Sequence, residues 1–546
     1  MIHFFSTQKL FSPLYVVPTL LLFFLPHSLH AAQPNKVGAT YTQAPSTSGN
    51  LLSVTTIPEF ERYDSSRRWD TVRASDLLKE LKNFKGIKGS PVLRAVWGDV
   101  LLSDFSGLSA NAAEQTDLTA QRLHILNRLG FFDEAIRLYQ QAALRHPIPE
   151  KIVREAIDSF ALSGSADGAC LEVTMAAKYL ATDNWTQDAA LCARYFGEQD
   201  RAQELYDKIS DKAGEGFGAV YQMLADGSGG AIKAEIPPLW RTLLLAKGAT
   251  LTGEALRKAD GMELAAIAEN PHVPLGVRLA AASRGADLGT VGWDRLRKLY
   301  ETKHGDESVV PTVAAGIDAD VGQPQSDLYA AARFTFEGAA RARVVQSALE
   351  ALHPHTNMKS HVYGWIVDKL TLQPERITWF APHGYGLMML TGRSDSAKIY
   401  YDTAHLETST VAAVQALEEG KPWPQAAQTA WKEAMTQRFG NGAAKRINLV
   451  MNLLKAYDTD KKMALADSKA SRNDSSSNSL TYLKESVQRG GRGLTLVAGL
   501  NHLAKAPQMN RIPSDELSEM AKVFAQQGLF GPRKKITLEI LIQSVL

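Results

Sequence analysis

Cysteine is nearly absent: the 546 residues contain two, Cys170 and Cys192. They lack nearby histidines, which makes a poor zinc site, and they are not spaced Cys-x-x-Cys, which argues against a thioredoxin-like redox centre. Charge of one sign is also missing. Sixty basic residues face 58 acidic ones, for a formal net charge of +2, whereas a dedicated nucleic-acid binder shows a marked basic excess. Past the N-terminus there is no apolar run of about 18 residues or more, so no membrane span is expected there. Alternating β-branched segments are scarce, which disfavours sheet. His-Glu-x-x-His, Gly-x-Ser-x-Gly and the Gly-x4-Gly-Lys-Ser/Thr phosphate loop are all missing, and with them the enzymes they mark.

Hydrophobic residues make up 45% and charged residues 22%, the balance of a folded chain, and the length calls for several packed units. The chain opens with one cation, Lys9, an apolar stretch from Leu10 to Leu25, the breaker Pro26 and the small pair Ala31 and Ala32. This is the layout of a secretory signal over 1–31, with an uncleaved anchor as the alternative. Export would put the protein in the periplasm or outside the cell. Residues 32–75 are rich in Ser, Thr, Gly and Pro at first and read as a flexible tether. "DSKASRNDSSSNS" lies in a polar loop, 461–480. Between and after them, apolar residues at spacings of three and four predict helices joined by short turns. We divide these into helical repeats over 76–230, a second helical repeat region over 231–460 and a C-terminal helical segment over 481–546.

A repeat is visible in the first of these regions. "GFFDEAIRLYQQAALRHP" sets Gly130, Ala135, Tyr139, Ala142 and Pro147 in a fixed order. Gly164, Ala169, Val173 and Ala176 follow the same offsets 34 residues later, and Gly197, Ala202, Tyr206 and Ile209 another 33 on. Glycine suits a turn between helices, alanine a close helix contact, the aromatic a gap between hairpins and proline a stop. The pattern resembles the second helix of a tetratricopeptide (TPR) repeat over about residues 118–214. That resemblance implies an all-α, TPR-like α-solenoid that binds peptides or proteins on a concave face. The first helices lack the family's Trp, Leu and Gly (Trp185 stands one position early), and Ala181 and Gly214 replace the terminal proline.

The remaining chemistry is sparse. "QRGGRGLT" lacks a lysine and a preceding strand, so it reads as a loop. His353, His355 and His361, with His383 beyond, have no carboxylate or cysteine among the first three, and a solvated turn at Pro354 is the better reading than metal binding. Glu485-Ser486 and "GYGLMML" from Gly384 resemble pieces of the lytic transglycosylase signature, in the wrong order; Glu375 is the nearest acid upstream of the second piece. That enzyme class, acting on peptidoglycan, is the alternative. The leading expectation is a non-enzymatic scaffold for envelope proteins or peptides, with no cofactor, no metal and no nucleic acid. In the repeat register Cys170 and Cys192 lie on facing arms of one antiparallel hairpin, level with each other. In an oxidising compartment this predicts a disulfide, with two buried thiols as the other reading.

Overall fold

The structure, a computed structural model, describes residues 41–42 and 69–543, other than 88, 144–147, 181, 228–229, 233–235, 305–324, 336, 353–356, 372–373, 407–409, 420, 464–480, 507–508 and 510–511. The expected signal over 1–31, Pro147, Ala181, His353, His355 and nearly all of the polar loop lie outside the described residues. The rest is predominantly helical, as the periodicity predicts. The first helices are α1 (Ala74–Lys82), α2 (Pro91–Leu101), α3 (Ala112–Arg128), α4 (Phe132–Ala143), α5 (Glu150–Leu162), α6 (Ala166–Ala177), α7 (Asp183–Tyr195), α8 (Gln199–Asp207) and α9 (Glu215–Asp226). Their starts are written locally. The Ser90 hydroxyl accepts the Leu93 N–H at 3.0 Å with Pro91 in the first turn, and Asn111 and Glu114 form a reciprocal capping box.

Three turns close alike. Gly130, Gly164 and Gly197 take φ of +69°, +83° and +79°, a conformation costly for any residue with a Cβ. In each, the N–H after the glycine reaches a carbonyl five residues back: Phe131 to Leu126, Ser165 to Phe160 and Glu198 to Ala193, all at 2.9 Å. These turns produce the hairpins α3–α4, α5–α6 and α7–α8. Ala135, Tyr139, Ala142, Ala169, Val173, Ala176 and Ala202 are buried between helices, and Tyr206 is half-buried against Phe217 and Tyr221. Neighbouring hairpins are bridged by side chains one period apart. Lys151 reaches Asp117 and Arg154 reaches Asp188, each 34 residues away; Tyr139 reaches Glu172 across 33 and Trp185 reaches Glu150 across 35. Cys170 on α6 and Cys192 on α7 are completely buried, with sulfurs 1.99 Å and Cα atoms 5.3 Å apart, the distances of a disulfide.

The chain then folds back over these hairpins through α10 (Pro238–Ala246), α11 (Gly253–Lys258), α12 (Gly261–Glu269), α13 (Leu275–Asp287) and α14 (Trp293–Lys303). Helix α10 lies on α5 and α7: the Thr242 hydroxyl donates to the Ala161 carbonyl at 2.7 Å and the Trp240 indole to Asp188 at 2.8 Å. Helix α12 lies on α3 and α5, and Arg241 of α10 pairs with its Glu263. Helices α15 (Gln325–Phe334), α16 (Gly338–Glu350), α17 (Asn357–Ser360), α18 (Gly364–Leu370), α19 (Ala381–Leu390), α20 (Ser394–Ala404) and α21 (Thr410–Glu419) continue the packing. The chain ends with α22 (Gln425–Phe439), α23 (Ala443–Met463), α24 (Thr481–Leu503), α25 (Ser514–Gln526) and α26 (Phe530–Gln543).

The last helices meet the first. Helix α24 packs on α1 and α26 on α2. Ser90 donates to the fully buried Glu539 at 2.7 Å, and the Asn501 amide to the Glu80 carbonyl at 2.7 Å. In a quasi-one-dimensional repeat array distant units do not touch. Here they do, and all the described helices belong to one compact unit, Ala39–Leu546. Its described core includes Trp69, which the composition had assigned to the tether; the indole is buried 4.4 Å from the Phe105 ring. The β contacts among the described residues are short: Tyr41–Thr42 with Ile148–Pro149, Ala231–Ile232 with Thr250–Leu251, and a single bridge between Arg73 and Ser109. No described helix is long and apolar enough to cross a membrane.

Candidate functional site

A cleft of about 360 Å³ opens where the α3–α4 turn meets α2, the end of α12 and the start of α14. Helix geometry puts charge there. Asp133 and Glu134 occupy the first turn of α4 and Asp294 the first turn of α14, positions where the helix dipole favours carboxylates. Lys298 follows Asp294 by one turn on the same face of α14. Glu269 ends α12 and pairs with Arg295 at 2.8 Å, while that guanidinium also donates to the Ala268 and Glu269 carbonyls. From α2, the Arg94 guanidinium carbon lies over Phe131, 3.7 Å from the ring centroid. The guanidinium donates to the Leu129 and Gly130 carbonyls at 3.1 and 3.3 Å, satisfying the end of α3.

The charges pull on one another. Burial pushes Arg94 down from its usual range, against the attraction of Asp294, Glu134 and Glu269. Burial pushes Glu134 up, opposed by its own backbone N–H and by Arg94, and Asp133 adds to the rise. Glu269 is also raised by burial, with Arg295 opposing. Among the described residues Asp133, Glu134, Asp294 and Lys298 make no salt bridge. The cleft therefore presents charges of both signs that no close ion pair ties down among the described residues, although Arg94 attracts Asp294 and Glu134 from a distance. None of these residues was singled out from the sequence except Gly130, which forms part of the wall. They come from segments up to two hundred positions apart, and no local motif joins them.

A second charged group sits on α5. Asp158 is half-buried, and burial, together with Glu155 and Asp188, lifts its carboxyl from 3.8 to about 7; Arg154 and His124 oppose the rise. The folded protein thus keeps a proton on Asp158 that the unfolded chain has already released between about pH 4 and 7, so stability falls as pH rises through that window. A shift of about 3 units corresponds to about 4 kcal/mol in a dry site, and partial hydration reduces it. Asp158→Asn is expected to stabilise the protein by about 2 kcal/mol at pH 8 and by much less at pH 4. Urea unfolding at the two pH values checks this; an equal gain at both would mean that ionisation is not the cause.

Among the described residues, the others marked by the sequence do not converge on chemistry. Glu485 on α24 and Glu375 in the 3-10 segment Pro374–Phe380 are both exposed, whereas a general acid needs a sheltered carboxyl. Gly384 packs inside α19, where a Cβ would lie 2.8 Å from the Tyr400 ring. His361 is buried beside Trp293, and no group of three His, Cys, Asp or Glu among the described residues is placed to hold a metal ion. "QRGGRGLT" lies within α24 at a break where Gly491 takes φ of +61°. The first helices of the hairpins carry α10 and α12, packed on α5, α7 and α3. Comparison with protein-family models, with curated proteins and with solved structures finds no match to this chain.

Proposed function

We propose that this chain is an exported, non-enzymatic helical-repeat scaffold that binds protein or peptide partners in the bacterial cell envelope. In this reading residues 118–214 form a TPR-like solenoid segment, closed against the rest of the chain. The observation that carries binding is the cleft beside the first repeat turn. Five segments line it, and of its charged side chains Asp133, Glu134, Asp294 and Lys298 make no salt bridge among the described residues, whereas Glu269 is paired with Arg295. Support for the repeat comes from bridges 33–35 residues apart and from the three like turns. Support for export comes from the apolar N-terminal run and the Cys170–Cys192 pair, since disulfides persist in oxidising compartments.

The test places a photo-crosslinking residue at Asp133 and, as a control, at exposed Lys522 in cells of the native host. Reproducible envelope partners captured from position 133 and not from 522 are expected. Capture of none from 133, with peptidoglycan-cleaving activity that is lost in Glu485→Gln or Glu375→Gln, would replace the scaffold with the enzyme.

A further inference from the structure

We propose that the cleft binds a small zwitterion, a free amino acid or a very short peptide, with its ammonium against Glu134 and Asp133 and its carboxylate against Lys298. This rests on reading the chain as a binding protein and names the ligand class of that same site. The charges lead to it by subtraction. Glu269 is matched by Arg295, and Arg94 is held by two carbonyls with Asp294 as its strongest electrostatic partner. Two carboxylates and one ammonium remain without an ion pair among the described residues, on α4 and α14, which face the same cavity. A purely anionic ligand would meet Asp133 and Glu134; a purely cationic one would leave Lys298 unmatched. A ligand with both charges satisfies both helices.

Size restricts the ligand further. A volume of 360 Å³ lies at the low end of the roughly 300–1,000 Å³ typical of small-molecule sites, too little for a folded element of a partner. The walls between the charges are small or already covered: Gly130, Gly292 and Ala265 leave room, and the Phe131 face is occupied by Arg94. Nothing there selects a large side chain. Burial makes the charge on Glu134 costly, and a ligand ammonium beside it would favour the charged carboxylate.

Calorimetric titration of the full chain with L-alanine, tri-L-alanine, N-acetyl-tri-L-alanine and tri-L-alanine amide tests the proposal. At least one of the two zwitterions is expected to bind at one site, and each blocked peptide about tenfold or more weaker than tri-L-alanine if the peptide binds. Lys298→Ala, at an exposed position that should not disturb folding, is expected to weaken the zwitterion about tenfold and leave any binding of the amide unchanged. Glu134→Gln should weaken the zwitterion similarly and leave any binding of the acetylated peptide unchanged. Tighter binding of L-alanine identifies the free amino acid as the source, and tighter binding of tri-L-alanine the peptide. No binding of either at millimolar concentration, or binding indifferent to both variants, overturns the proposal. If crosslinking at Asp133 still captures partners in that case, the scaffold reading survives and only the ligand class falls.

Discussion

Gly130→Ala is expected to cost about 4 kcal/mol, and Gly197→Ala, at the same place two hairpins later, only about 1 kcal/mol. Both glycines have positive φ, so an alanine pays the left-handed penalty of about 1–2 kcal/mol at either site. They differ in what lies beyond the missing Cβ. At Gly130 it would lie 2.1 Å from the Thr290 carbonyl oxygen and 3.1 Å from Ala265, so the α13–α14 turn would have to retreat from the α3–α4 turn. Forcing a methyl into such a contact costs about 1–3 kcal/mol more. At Gly197 nothing lies within 4 Å. Gly164 should fall between them, because its Cβ would meet Pro271 and Asn270 at 3.0 and 3.1 Å. Urea unfolding of the three single variants measures the series. Equal losses would mean that the turn conformation alone, and not the helices laid over it, sets the requirement for glycine. Gly130→Ala should also disturb the cleft, since this residue lines it and Arg94 bonds to its carbonyl.

That series separates what the sequence could reveal from what it could not. The turns were legible because their cause is local: an apolar period stops, and only glycine adopts the required φ cheaply. The alanines and Tyr139 were legible because helix contacts recur at fixed offsets. The facing cysteines were legible because two antiparallel arms of equal length bring their ends level. What covers the turns was not legible. Thr290 lies 160 positions beyond Gly130, and nothing in "TVGWDRLRK" marks it as the neighbour of a particular glycine. Trp69 looked like the end of a tether because the polar composition before it masked one large apolar side chain, whose partner, Phe105, comes two helices later. The meeting of Ser90 with Glu539 spans 449 residues; locally, Ser90 reads as an ordinary helix cap and Glu539 as an ordinary helix acid. The cleft has the same origin. Asp133 and Asp294 look like routine first-turn acids, and only packing shows that two such turns open onto one cavity.

Removing the Cys170–Cys192 bond is expected to lower stability by about 3 kcal/mol, the chain-entropy value for a closed loop of this length. The cysteines are 22 positions apart, and the loop holds the end of α6, the turn and most of α7. Non-reducing mass mapping of the protein purified from its native host should recover one linked peptide pair, and Cys170→Ala/Cys192→Ala should unfold at lower urea than the parent. Reduction of the parent separates two causes. It breaks the bond but keeps both sulfurs in a fully buried seam, whereas the double alanine also removes their volume and should lose up to about 1 kcal/mol more. The effect should spread toward α5, because α7 carries Trp185, which donates to Glu150, and Asp188, which holds both Arg154 and the Trp240 indole. Faster amide exchange in α7 and α10 of the reduced protein, with α1 and α24 unchanged, would show the clamp acting through those contacts. An unchanged urea midpoint after complete reduction would mean that the hairpin is held by packing alone.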